Sequence, residues 1–252
     1  MASNDSLPTT SMSHWNTIPD SLLREIYESD QAIYPAPELT LARIQNWAAA
    51  CPELCLCLRD RHQQQSANSD SKPSPSPHAD VLGVMIVLPL NLSSWESLLS
   101  GTIKEHDVDP VNMFPSSLNT LNEHNQSQGD CLSTVGLHVF HIERFSTVSS
   151  VAKWSNSSKR FTNFALAEIQ QRVANVFGHW DVAGYSALTA SQQGHRAFQR
   201  AGFVIKYLET EDGIAWLDDD DDVADMATDL PKSIIARMMV RSGNDVFSQP
   251  SE

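Results

Sequence analysis

Several reactive side chains stand at spacings that limit what they can do. His141 and Glu143 are two apart in the apolar, β-branched run VGLHVFHIERF (135–145), so they share one face of a strand. An imidazole beside a carboxylate is an acid–base pair, although an ion pair from Glu143 to Arg144 or another base would use the same side chain structurally. His138, three residues before His141, is expected on the opposite face of that strand, and no metal site is expected. Cys51, Cys55 and Cys57 lack zinc-ligand spacing and read as core thiols. Gly184-Tyr185-Ser186-Ala187-Leu188 approaches a nucleophile elbow, but it lacks the final glycine and places Ser186 inside a strand. That argues against a serine hydrolase. The glycine-rich phosphate loops GxGxxG and GxxxxGK-S/T, the zinc motif HExxH and the CxxC pair are all absent from the sequence.

Charge narrows the partners. The 252 residues hold 31 acids and 17 bases, a net charge of −14. Such a surface repels phosphate backbones and anionic lipid, which excludes non-specific nucleic-acid and membrane-surface roles. One segment reverses the sign. Between Arg144 and Arg160 there are four bases (Arg144, Lys153, Lys159, Arg160), six serines and no acid. That composition suits an anionic ligand, and equally an exposed loop. Glu105, Asp107 and Asp109 follow a short helix and either line an amine pocket or form a solvated loop. The acidic run Asp218–Asp222 reads as a solvated hairpin loop or as an attractor of cations.

These residues need elements to position them. Thr17 and Asp20 flank Pro19 as a capping pair ahead of a helix with Ile18, Leu22, Leu23, Ile26 and Tyr27 on one face. Thr40 is expected to cap a second helix with Leu41, Ile44, Trp47 and Cys51 on one side, ended by Pro52. LCLCLR (54–59) alternates as a strand, with Leu54, Leu56 and Leu58 on one face. VLGVMIVLPL (81–90) is apolar on both faces, as a central strand must be. A short helix around Trp95, Leu98 and Leu99 stops at Gly101. Beyond the strand at 135–145, residues 158–177 form an amphipathic helix facing the core with Phe161, Phe164, Ile169, Val173 and Val176. DVAGYSALTA (181–190) is a strand, Ser191 caps the helix QQGHRAFQRA, and Gly202 terminates it. Strands FVIKYL (203–208) and SIIARMMV (233–240) follow.

The expected fold is α/β: a mixed, mostly antiparallel sheet of about six to seven strands with helices on both faces. It forms one domain over 15–240, with flexible insertions at 60–79 and 115–131 and tails at 1–14 and 241–252. No apolar run is long enough to span a bilayer, and the first residues, MASNDSLPTTSMSHW, carry no secretory signature. The expected location is cytoplasmic, with the nucleus left open.

The order of elements, and above all SQQGHRAFQRAGF (191–203), resembles the GNAT superfamily of acyl-CoA N-acyltransferases, closest to its fungal-type branch. That family's strand-helix motif carries Asn, Ala and Tyr at i, i+3 and i+7 before a small residue and Gly-Phe; here the positions are Ser191, Gly194 and Phe198. The resemblance extends over roughly 15–240 in element order and over about 60 residues in motif. It implies a splayed parallel pair formed by 135–145 and 181–190, with pantetheine between the strands. It also implies a helix N-terminus near Ser157–Arg160 for the pyrophosphate. On the same ground, Ile142, Arg144, Phe145, Lys159, Arg160, Ser191, Gly194 and Phe198 would bind acetyl-CoA or another acyl-CoA. The family's phosphate loop, with Arg144 in its first place, has Thr147 and Ser149 where glycines are usual. Phe198 replaces the tyrosine that protonates the departing thiolate, so the resemblance assigns the acid to Tyr185 or a water. Glu143 is the implied base with His141 as partner. The implied activity is acyl transfer, most simply acetyl transfer, to an amine on a small molecule or peptide by direct attack. A non-catalytic module binding CoA or a protein partner is the other reading.

Overall fold

A strand buried on both faces has to lie inside a sheet with a layer on either side. β3 (Val81–Asn91) is such a strand, buried along its first ten residues. The structure is a computed structural model, and it describes residues 13–60, 78, 80–116, 118, 132–145, 161–216 and 234–243. β3 is flanked by β2 (Cys55–Asp60) and β4 (Ser133–Arg144), both antiparallel to it. The sheet continues through β5 (Trp180–Thr189), β6 (Val204–Thr210), β7 (Gly213–Trp216) and β8 (Ile234–Ser242), with β1 (Ser13–Thr17) at the far edge. Its order is β1-β2-β3-β4-β5-β8-β6-β7. Of the seven strand pairings only β4–β5 is parallel. The mixed, mostly antiparallel sheet expected from the sequence is present, with eight strands among the described residues against the expected six to seven.

The two additional strands are edge strands, where the sequence signal is weakest. β1 begins at Ser13, inside the expected N-terminal tail, and pairs Thr17 with Leu56. That pairing removes Thr17 from the expected capping pair with Asp20. Helix α1 (Asp20–Ile33) instead starts after an extended Pro19 with no side-chain cap. β7 is the four-residue return of a hairpin on β6. β8 runs to Ser242, two residues past the expected domain end.

The other helices follow their local signals. Thr40 caps α2 (Leu41–Ala50), accepting a bond from the Arg43 amide at 3.3 Å. Asn91 caps α3 (Leu92–Leu99) at 2.9 Å from the Ser94 amide, and Gly101 leaves the helix at φ 66°. α4 (Phe161–Val176) buries Ala165, Leu166, Ala167, Ile169 and Val173. Val176, expected in the core, is 39% exposed at the helix end. Ser191 caps α5 (Gln192–Arg200), its Oγ accepting from the Gly194 amide at 3.0 Å, and Gly202 follows at φ 88°. Lys153, Lys159, Arg160, Thr147, Ser149, Ser157 and Asp218–Asp222 lie outside the described residues.

Strand register places the layers. Ile86 pairs with His141 and Gly83 with Arg144, so Gly83 faces away from the His141 side. Phe161, the first residue of α4, covers Gly83; a Cβ there would come within 2.2 Å of its ring. On the His141 side stand α1, α2 and α3, whose Asp30, Trp47 and Trp95 reach β4 and β5. No helix of the described residues is long and apolar enough to cross a membrane.

Candidate functional site

β4 and β5 pair in parallel from Ser133–Trp180 to Val139–Ala187, and there the pairing stops. β4 continues to Arg144 with β3 still on its other side, while β5 ends at Thr189 and turns into α5. From Phe140 onward the β5-side edge of β4 therefore has no strand partner among the described residues. Backbone groups along that edge are not taken up by β5, so water or an extended, amide-bearing ligand can pair with them.

The parting coincides with a bulge. Ile86 pairs with His141 but Val87 pairs with Val139, which leaves Phe140 as an additional residue in β4. Its ring packs edge-on against Trp47, with centroids 5.1 Å apart. Inserting one residue reverses the parity of everything beyond it. His138 and His141 consequently share a face, contrary to the expectation from their spacing. His141 and Glu143 both lie past the bulge and keep their common face, with Nε2 and Oε2 at 3.2 Å.

A buried polar chain begins beneath this point. Gly136 of β4 and Gly184 of β5 are register partners, and the Trp95 indole lies over both. An added Cβ would come within 2.0 Å of the ring at Gly136 and 2.6 Å at Gly184. The absence of side chains at this pair is what admits the indole. Trp95 Nε1 donates to Ser186 Oγ at 2.9 Å, and Ser186 Oγ lies 2.9 Å from His138 Nδ1. His138 Nε2 is 2.6 Å from Glu105 Oε1, and His138 is fully buried. Indole only donates, so a neutral His138 protonated on Nε2 gives each donor an acceptor: Trp95 to Ser186, Ser186 to His138, His138 to the carboxylate. Ser186 thus serves as a buried link between the indole and the imidazole.

Asp30 faces His141 and feels the charge of Glu105. Its Oδ1 is 4.0 Å from His141 Nδ1. Burial first, and then the Glu105 carboxylate, push the Asp30 carboxyl from 3.8 up to about 6, while His141 pulls it down.

Glu105 also lines a cavity of about 160 Å³ that opens beside the parted strands. Its wall includes Tyr34, Lys104, Tyr207, Glu209 and Leu188, the last being the first residue of β5 beyond its pairing with β4. Glu209 is only 5% exposed. Tyr34 donates its hydroxyl to Glu209 Oε2 at 2.6 Å, and the Lys104 ammonium pairs with Oε1. Burial and Glu209 hold the Tyr34 phenol well above the usual tyrosine range, and Tyr207 is raised in the same way. Of the three acids after α3, only Glu105 reaches the cavity. Asp107 accepts from the Lys104 amide at 2.8 Å, and Asp109 caps the turn Pro110–Met113.

The other sequence-derived candidates divide by location. Ile142, Glu143 and Phe145 are half-buried at the unpaired end of β4, where Arg144 is exposed. Ser191 and Gly194 form the first turn of α5 directly after β5. Phe198 is 7% exposed and packs edge-on against Phe203 at 5.0 Å, so it belongs to the core beneath that helix. Tyr185 lies in the zipped stretch opposite Leu137, 1% exposed, and burial pushes its phenol up to about 12. Asp30, Tyr34, Lys104, His138 and Glu209 were not singled out as site residues by sequence. Their only signal is polarity inside or beside apolar runs, which does not say where they meet.

No protein-family model matches the sequence, and no curated protein does so significantly. Among solved structures, Arabidopsis thaliana NAA60 in complex with acetyl-CoA is similar at 12% identity and TM-score 0.45, covering 93% of this chain and all of that one. Drosophila melanogaster polyamine N-acetyltransferase, which forms N-acetylagmatine, is similar at 12% identity and TM-score 0.45, covering 92% and 100%. Ard1 from Thermoplasma volcanium stands at 9% and 0.41, covering 91% and 97%. The chain's own sheet, with one parallel pair that parts at a bulge in the middle of otherwise antiparallel strands, has the mixed, mostly antiparallel form with a splayed parallel pair that the resemblance implied.

Proposed function

We propose that the chain is an acyl-CoA-dependent N-acyltransferase, with acetyl-CoA the simplest donor. The observation that carries this reading is the parting of β4 from β5 after Val139–Ala187, directly beside a cavity lined by carboxylates. The unpaired edge of β4 suits the amides of pantetheine. The thioester would then stand near Leu188, where the cavity meets β5.

An acceptor amine arrives mostly as ammonium at neutral pH and has to lose a proton before attacking the thioester. Glu105 is held by His138 at 2.6 Å and lines the cavity, so it is the best-placed proton acceptor. Glu143 with His141, on the open end of β4, is the other. The acid cavity favours a cationic acceptor, whether a small amine or a basic peptide.

One observation favours a second reading, a module that binds acyl-CoA without turnover. Phe198, at the position where the resembled family carries its tyrosine, is packed into the core and has no proton to give.

Thermal melting with added acetyl-CoA tests both. Binding to the folded state at 100 times Kd raises stability by about 2.7 kcal/mol. Enzyme activity requires, in addition, thiol release with at least one amine of a panel. Glu105→Gln is then expected to lower kcat by ~100-fold, as for loss of a general base. Binding without turnover leaves the module, and no shift with acetyl-CoA or longer acyl-CoAs removes both readings.

A further inference from the structure

The cavity beside the parted strands already contains an amine, and it belongs to the protein. Lys104 lines the cavity together with Leu188, and its ammonium is paired with the buried carboxylate of Glu209. The stem is anchored at its base: the Lys104 amide donates to Asp107 Oδ2 at 2.8 Å, and its carbonyl accepts from the Asp107 amide at 2.9 Å. The next residue, Glu105, is tied to His138 of β4. The side chain is 39% exposed, so it is not sealed in.

We propose that Lys104 is a self-acylation site, modified from acyl-CoA within its own chain. The proposal rests on the acyltransferase reading above, which places the thioester at the Leu188 end of the same cavity. The ammonium gives one proton to Glu209, and the freed Nζ lone pair attacks the thioester carbonyl carbon. The C–S bond breaks as the C–N amide bond forms, and the second proton leaves nitrogen for the departing sulfur. The products are the Lys104 amide, CoA thiol and one proton passed through Glu209 to solvent. Tethering makes the step unimolecular, which replaces a collision with a conformational search. Acylation also removes the lysine charge. Glu209 then keeps only the Tyr34 hydroxyl as a partner among the contacts described above, and the cavity is more negative by one charge toward an incoming ammonium.

The test is peptide mass mapping of the full chain incubated with acetyl-CoA alone. Lys206, exposed on β6, is the internal control for non-specific chemistry. Lys104 is expected to gain one acetyl group at least ~100-fold faster than Lys206, the advantage of a held over a colliding amine. Its rate constant should not change with protein concentration. Lys104→Arg keeps a cation beside Glu209 and should remove the modification, and Glu209→Gln should slow modification at Lys104. The proposal is overturned if acetyl-CoA shifts the melt and external amines turn over while Lys104 labels no faster than Lys206. It is equally overturned by a rate that rises with protein concentration, which would mean transfer between chains. Absence of any acetyl-CoA shift would instead overturn the acyltransferase reading and this inference with it.

Discussion

Asp30→Asn probes the electrostatics of the site more directly than any other single change. In the folded chain the Asp30 carboxyl stands at about 6 against an ordinary 3.8, because burial and the Glu105 carboxylate oppose its ionisation more than His141 assists it. A carboxyl raised on folding binds its proton more tightly in the native state. Its contribution to stability is therefore complete below about pH 4 and is lost as pH rises through about 6. The difference corresponds to about 3 kcal/mol as an upper figure, at 1.36 kcal/mol for each tenfold step in proton affinity. Asparagine resembles the protonated form and does not ionise. Asp30→Asn is thus expected to match the parent near pH 4 and to exceed it at pH 8 by up to about 3 kcal/mol, or ~6–12 °C in Tm for a chain of this size. Urea unfolding of both proteins at a series of pH values measures this. A stability difference that stays constant across pH, or an asparagine variant weaker than the parent at pH 8, would refute the account of Asp30 as a strained carboxylate.

Gly136→Ala places a methyl within 2.0 Å of the Trp95 ring and is expected to cost about 1–3 kcal/mol in urea unfolding. A Gly136→Ala, Trp95→Leu double variant should lose less than the sum of the two single losses, and strict additivity would disprove the contact. Ser186→Ala leaves Trp95 Nε1 and His138 Nδ1 without the hydroxyl that joins them, and should cost roughly 1–3 kcal/mol for each buried group left unsatisfied. A variant as stable as the parent would mean that the link is dispensable. Burial pushes the Cys55 thiol up to about 12 and raises Cys51 and Cys57 as well. A thiol reagent at pH 8 should therefore modify these three only as fast as the chain unfolds, and immediate labelling of any of them would contradict their burial.

Much of the frame was legible in the sequence. β3 announced itself because an apolar run on both faces has one stable place, the middle of a covered sheet. Thr40 and Ser191 were identified as caps because a cap is set by neighbouring residues alone. Thr17 failed as a cap for a tertiary reason: it ends β1, paired with Leu56 of β2. The parallel pair was also expected, from the resemblance.

The site was decided elsewhere. The resemblance allowed for a bulge in this strand, but that Phe140 is the additional residue that reverses side-chain parity is set by the pairing of β4 with β3. His138 therefore joins the face of His141, although their spacing in an unbroken strand sends them apart. Glu105 differs from Asp107 and Asp109 by its longer side chain and by the direction in which a short turn aims it, the two aspartates being engaged in capping. Tyr34 and Glu209 are 175 residues apart and meet in one cavity. Period and capping follow from the backbone within a few residues and so survive in a linear sequence. The state and partners of a buried carboxylate depend on which distant groups share its low-dielectric surroundings, and folding alone brings those together.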